Sequence, residues 1–357
     1  MKIRALTLFI DPEVVKFDLK QLASTIGDLV DDAQRNFGIE IWTKRLALTP
    51  QPIKRMTELA ENLEIEIPDV IDYISIPIIL RSVDDMTRIF EVLSKCKRIF
   101  TSICGSEDQL IAFQKLLEII LNKQNPECFI KVSFSIKNHI LTPYFPAASA
   151  PNGKIGFSGA LLYVSDLMNA LNNKAPLAQE IENCFNMAMR ILDYLAKKLN
   201  VENFGVDLSI SPWMDDSVAK LLEMISGEEF NKPSTFYAVM KLNDEIKYVS
   251  SRCNNCIGFN EIMLPYAEDS RLMELGGKGK LTAYDLLLLS SVCVAGLDVV
   301  VLPKMDRKVL RNFLLDAYAI LSSKGKPSGI RVILTDKDPG EIAELGFLGS
   351  APVMKLK

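Results

Sequence analysis

The chain has 357 residues, of which 48% are hydrophobic and 24% charged, with a formal net charge of -4. That balance supports a large buried core and excludes a disordered or low-complexity chain, and the lack of a basic surplus argues against a nucleic-acid binder. Seven cysteines spread over so long a chain are not the pattern of a disulfide scaffold.

Residues 3–10 form a short apolar segment ended by Asp11-Pro12, which reads as a first strand and not as a targeting segment, so a cytoplasmic location is expected. Leu22, Ile26, Leu29, Val30 and Ala33 then recur at helical spacing. Strands are predicted at 39–48, 72–80 and 98–103, and helices at 53–63, 83–93 and 107–121. This alternation predicts a parallel sheet or barrel. A fifth strand at 129–136 precedes LTPYFPAASAPNGKIGFSG. Ordered connections longer than about twelve residues usually build or cover a site, so this loop is the first functional suspect. The competing reading is a structural crossover that packs Tyr144 and Phe145 on the core.

Further on, 177–199 is a clear amphipathic helix, and 204–210 a short strand that puts Asp207 and Ser209 on one face. Asp215 or Asp216 is expected to cap a helix through Ile225. Residues 235–242 and 245–249, joined by Asn243-Asp244, read as a hairpin, and 258–264 as a strand. The longest apolar run is 281–303. Thr282 can cap an inner helix running to Cys293, and Leu297 to Leu302 reads as a strand buried on both faces. Small residues from Ser290 to Gly296, with Asp285 and Asp298, argue against a membrane span. A helix at 307–321, a strand at 329–334 and an irregular tail from Asp336 complete one expected domain over 1–357, with no linker or repeat.

The chemistry-bearing constellation is rich in oxygen: Asp207, Ser209, Asp216, Glu268, Asp269 and Asp298. Carboxylates at strand ends can bind a hard divalent cation or act as acid and base, because burial and like charge push their pKa values apart. The competing reading makes Asp216, Asp269 and Thr282 helix caps and has Asp298 bonding backbone amides. Cys293 lies at the negative end of the inner helix, which disfavours a thiolate. Cys253-Asn254-Asn255-Cys256 has half of a zinc site and no second pair, and His139 is the lone histidine, so neither carries a metal or triad reading.

The order Pro265, Glu268-Asp269-Ser270, Leu281-Thr282, Leu287 to Leu289, Ser290 to Cys293, Gly296 to Asp298 and Leu302-Pro303 resembles domain of unknown function family 711, also called uncharacterised protein family 0210. The resemblance spans almost the whole chain and is sharpest after residue 204. It implies a single ten-stranded α/β barrel, similar to the pyruvate formate-lyase-like barrels of glycyl radical enzymes, and it implies no activity. The chain lacks an R-V-x-G-Y type motif and an adjacent cysteine pair, so no glycyl radical is expected. It departs from the family pattern at Ser149-Ala150 and Lys304-Met305, where an aromatic and histidine, and a Gly-Asp pair, are usual.

The expectation is an enzyme acting on a small polar or anionic molecule at the barrel mouth. Asp207, Glu268 and Asp298 would be catalytic, and Arg4, Arg45, Ser209, Ser291 and Arg331 would bind substrate. The alternative is a non-catalytic metabolite-binding or assembly protein. The expected partner is a small-molecule ligand, with no nucleic acid and no membrane; a divalent cation and a homo-oligomer are left open.

Overall fold

The computed structural model describes residues 1–13, 19–80, 85–292 and 296–357. Strand β1 (Lys2–Ile10) is buried from Ile3 onward, as a strand covered on both faces must be. It pairs in parallel with β2 (Ile41–Leu48) and antiparallel with β8 (Ile155–Leu162). Beyond β2 the sheet runs in parallel through β4 (Tyr73–Ser75), β6 (Ile99–Gly105) and β7 (Val132–Ile136). Strand β7 then meets the antiparallel β11 (Gly329–Thr335), which is parallel to β10 (Gly296–Pro303). On the other flank β8 is parallel to β9 (Glu202–Asp207). The two-residue strands β3 (Gln51–Pro52) and β5 (Ile78–Ile79) pair with each other, and β5 joins β6, making an eleven-stranded sheet. A separate hairpin, β12 (Ile342–Glu344) and β13 (Ser350–Pro352), occupies the tail read as irregular.

Side-chain alternation gives this sheet two unlike faces. On one face, Leu6, Leu8, Leu46, Ile103 and Phe134 join the main core beneath the helices. On the other, Phe9 and Ala47 pack with Ala148 and Ala150 of the long loop in a small core of their own. Arg45, Phe100, Ser102, Ser133 and Ser135 alternate onto that same inner face. Curvature follows from two ion pairs. Arg4 of β1 and Arg331 of β11 both reach Glu268, although the two strands are five positions apart in the sheet order. A flat sheet would hold those strands roughly 24 Å apart, so the sheet curls around the carboxylate.

Several expectations change. Residues 235–249 are not a hairpin but part of the helix Thr235–Ser250, because Ala238, Val239, Leu242, Ile246 and Val249 form one buried helical stripe. Asn243, read as a turn residue, donates to the Val292 carbonyl and accepts from the Ile262 amide. Residues 258–264 form a single isolated bridge, Ile262 to Ile210 of the chain after β9, instead of a strand. The inner helix is Ala283–Leu289, with Leu286 and Leu287 buried and Leu288 exposed; Cys293 lies outside the described residues. The third helix is Met86–Lys95, and its expected start at Val83 is likewise outside them. The sheet has eleven strands where ten were expected, and among the described residues no pairing joins its outer members β9 and β10.

Caps divide between prediction and surprise. Thr282 caps its helix in a capping box with Asp285. Asp269 caps the helix Ser270–Gly277 and also accepts from Ser217 Oγ and the Ala219 amide, so one buried carboxylate serves two helix starts. The N-cap of Val218–Ser226 is Ser217, not Asp215 or Asp216.

Candidate ligand cavity

A cavity of about 260 Å³ opens on the inner face. Strands β1 and β2 contribute Arg4, Trp42, Thr43 and Arg45; β10 and β11 contribute Asp298 and Arg331, and Glu268 comes from the 3-10 turn Tyr266–Glu268. The four charged groups on one side are serially linked. Arg4 pairs with Glu268 Oε2 and also donates to Ser211 Oγ and the Pro212 carbonyl. Glu268 Oε1 accepts from Arg331 Nη2 at 3.1 Å, and Arg331 grips Asp298 through Nε at 2.6 Å and Nη2 at 3.0 Å. Such a planar fork is the geometry in which guanidinium holds carboxylate best.

The two carboxylates are pushed apart. Burial alone would raise Glu268, but Arg4 and Arg331 outweigh it and hold the carboxyl below its ordinary range. Burial pushes Asp298 up, Arg331 offsets only part of this, and the charge of Glu268 adds to the rise. Arginine therefore supplies the positive charge that this cluster needs. Among the described residues no group of three or more His, Cys, Asp or Glu side chains is placed to hold a metal ion.

Arg45 differs from the other two arginines. Its Nε donates to Thr43 Oγ1 at 2.9 Å and its Nη1 to the Pro143 carbonyl at 3.5 Å, and among the described residues it has no carboxylate partner. The guanidinium lies 5.4 Å from the Tyr73 ring and 5.1 Å from that of Phe145, which hold it by cation–π contact. Burial, then the charge of Arg4, lowers its pKa to about 10, which leaves it a cation at neutral pH. Aromatic rings make most of the remaining wall. Trp42 and Trp213 meet edge to face at 4.8 Å with Arg4 against both, and Phe100 packs on Tyr73, Phe145 and Phe347.

Five of the eight expected site residues, Arg4, Arg45, Glu268, Asp298 and Arg331, line this cavity, and three do not. Asp207 is fully buried and accepts from Thr142 Oγ1, Ser209 Oγ and the amides of Ser209, Phe259 and Asn260. Burial raises its pKa and these donors oppose the rise. It ties together three segments that line the cavity through Tyr144, Ser211 and Phe259, so its place is behind the wall. Ser209 belongs to the same knot, its hydroxyl spent on Asp207. Ser291 is exposed and closes its own helix end on the Leu288 carbonyl. The long loop supplies Tyr144, Phe145, Pro146 and Ala147 to the cavity, whereas Ser149 and Lys304, where the chain departs from the family pattern, do not line it. Cys253 and Cys256 are half-buried free thiols, and burial pushes Cys256 up to about 12.

Sequence reading missed Trp42 and Trp213. Their scarcity was the available signal, because the chain has two tryptophans and both line the cavity.

Fold and cavity together define a mixed α/β protein whose curled sheet encloses a charged, aromatic-walled pocket. The chain matches the family described as Uncharacterised ACR (DUF711) over residues 1–346, and it belongs to that family. It is similar to a UPF0210 protein of Sulfurisphaera tokodaii, 26% identical over 374 aligned positions that cover 95% of this chain and 84% of that one. UPF0210 proteins of Actinobacillus succinogenes and Ligilactobacillus salivarius are 34% and 33% identical over 169 and 165 positions, 45% and 44% of this chain. These two matches span 37% of each relative's length. The relatives' names state no activity.

Proposed function

We propose that the inner cavity binds a small organic anion, with its anionic group on Arg45. The observation that carries this is a cation walled in by Tyr73 and Phe145, facing a cavity, with a guanidinium edge that no carboxylate among the described residues satisfies. Its sister arginines are spent on Glu268 and Asp298, so an incoming anion meets one unspent positive charge and not a neutralised cluster. The test is calorimetric titration of small carboxylates and phosphates into the full chain and an Arg45→Met variant. Binding to the wild type that Arg45→Met abolishes supports the reading; equal affinity in both sinks it.

A second reading, turnover, is favoured by the opposed shifts of Glu268 and Asp298. The group pushed up, Asp298, is the one that would give and take a proton, with ionised Glu268 holding Arg331 in place. Under this reading Asp298→Asn leaves ligand binding within a few-fold and removes turnover of the bound acid. Retained turnover in that variant rules out Asp298 as the proton carrier. Barrel closure is part of the same proposal. The segment after the helix Thr235–Ser250 bonds Val206, Ile210 and Met214 in turn along the β9 side, and Met354 bonds Val301 of β10, which together would bridge the two edges of the sheet.

A further inference from the structure

One stretch of the inner wall is polar without visible cause. The hydroxyls of Ser102, Ser133 and Ser135 are buried and have no hydrogen-bond partner among the described residues. Ser102 and Ser133 are register partners on β6 and β7, so their side chains stand side by side on the inner face. Ser135 follows two residues on from Ser133, on that same face, and its register partner across the β7–β11 pair is Gly329. Gly329 and Ser133 both line the cavity. A Cβ built on Gly329 would meet only the Phe134 carbonyl, at 3.4 Å, so there is room beside Gly329 on the wall that Ser133 lines, while Ser102 and Ser135 flank Ser133 without lining the cavity themselves.

A buried hydroxyl left without a partner costs about 1–3 kcal/mol, and Ser133, the one of the three that lines the cavity, would be relieved by a polar atom placed against it. We propose that Ser133, with Gly329 beside it on the cavity wall and the hydroxyls of Ser102 and Ser135 flanking it, forms a second subsite that takes a neutral hydroxyl group of the ligand. The ligand class is then a small hydroxy acid, its acid group on Arg45 and its hydroxyl on this patch. The remote group is neutral because three serines carry no charge with which to compensate an ion out of water. It is a hydroxyl because each serine both donates and accepts, and a ligand O–H answers both needs. The body between the two ends is flat and apolar, to match walls of Phe100, Phe145 and Trp213. The size is limited as well, since 260 Å³ holds the space of roughly nine waters.

The subsite rests on the Arg45 reading, and the test separates the two. Benzoate and 4-hydroxybenzoate, and 3-phenylpropionate and 3-(4-hydroxyphenyl)propionate, are titrated calorimetrically into the full-length wild type and into Ser133→Ala, Gly329→Ala and Arg45→Met. The readout is the affinity ratio of each hydroxylated acid to its parent. One good hydrogen bond predicts a ratio of about three to ten in the wild type for at least one pair. That ratio should fall to near one in Ser133→Ala and Gly329→Ala, and Arg45→Met should abolish binding of all four acids. Gly329 has no left-handed φ, so alanine there fills the space without straining the backbone, and an unchanged melting temperature confirms folding. Arg45-dependent binding with a wild-type ratio near one for both pairs, or a ratio that survives both wall variants, overturns the subsite and leaves the Arg45 reading intact; it means that ordered water satisfies the serines. Failure of all four acids to bind the wild type overturns both.

Discussion

Replacing Asp207 by alanine should damage stability as severely as breaking the charged cluster, because the carboxylate organises backbone. Its two oxygens accept five hydrogen bonds: from the amides of Ser209, Phe259 and Asn260 at 3.0, 3.0 and 3.1 Å, and from the hydroxyls of Ser209 and Thr142 at 2.6 and 2.9 Å. The hydroxyls can rotate to other acceptors, but the three amides are fixed by the chain and Asp207 is wholly buried. At roughly 1–2 kcal/mol for each stranded amide, the loss comes to about 3–6 kcal/mol, a large part of the 5–15 kcal/mol that holds a typical domain. Asp207→Asn keeps one acceptor oxygen and turns the other into a donor facing donors, so it should cost about half as much. Gly258→Ala reaches the same knot from outside, because its Cβ would fall 2.0 Å from Asp207 Oδ2 at a φ of +79°. Urea denaturation is the assay, with the midpoint falling at an unchanged slope. A loss under 1 kcal/mol for Asp207→Ala would refute the account, since it would mean that the amides find other partners and that the knot does not set the cavity wall.

Glu268→Gln leaves two buried guanidiniums without their shared anion and should cost about 3–5 kcal/mol by thermal or urea unfolding; a near-neutral result would mean that the cluster is hydrated. Burial lowers the imidazole of His139 to about 4, against about 6.5 in an unfolded chain. The unfolded state thus binds the extra proton between those values, and stability is lost as pH falls from about 6.5 to 4. Because this is the chain's one histidine, His139→Asn should flatten that part of the stability–pH curve, and an unaltered slope would contradict the buried assignment. Leu287→Asp should cost 3 kcal/mol or more as an order of magnitude, and its exposed neighbour Leu288→Asp about 0.5 or less; melting curves that do not separate the two would invert the facing of this helix. Asn243→Leu strands the Ile262 amide and the Val292 carbonyl and should cost about 2 kcal/mol in the same assay.

Local physics made much of the fold legible in the sequence. The apolar runs of β1, β2, β10 and β11, the alternation with helices, the Thr282 cap and the place of Tyr144 and Phe145 in a long connecting loop all follow from periodicity, burial and turn chemistry, which act over a few residues. Where two local readings competed, tertiary packing decided. Asn243-Asp244 has turn composition, yet the buried stripe from Ala238 to Val249 and the two remote partners of Asn243 keep the helix unbroken. The charged residues were legible as a set of types and not as a site. Asp207, Glu268 and Asp298 look alike in sequence, and what separates them is which donors arrive: main-chain amides and hydroxyls at Asp207, arginines at the other two. Ser209 aside, those donors lie 33 to 264 positions away along the chain, and only the curl of the sheet brings Arg4 of β1 and Arg331 of β11 onto one carboxylate.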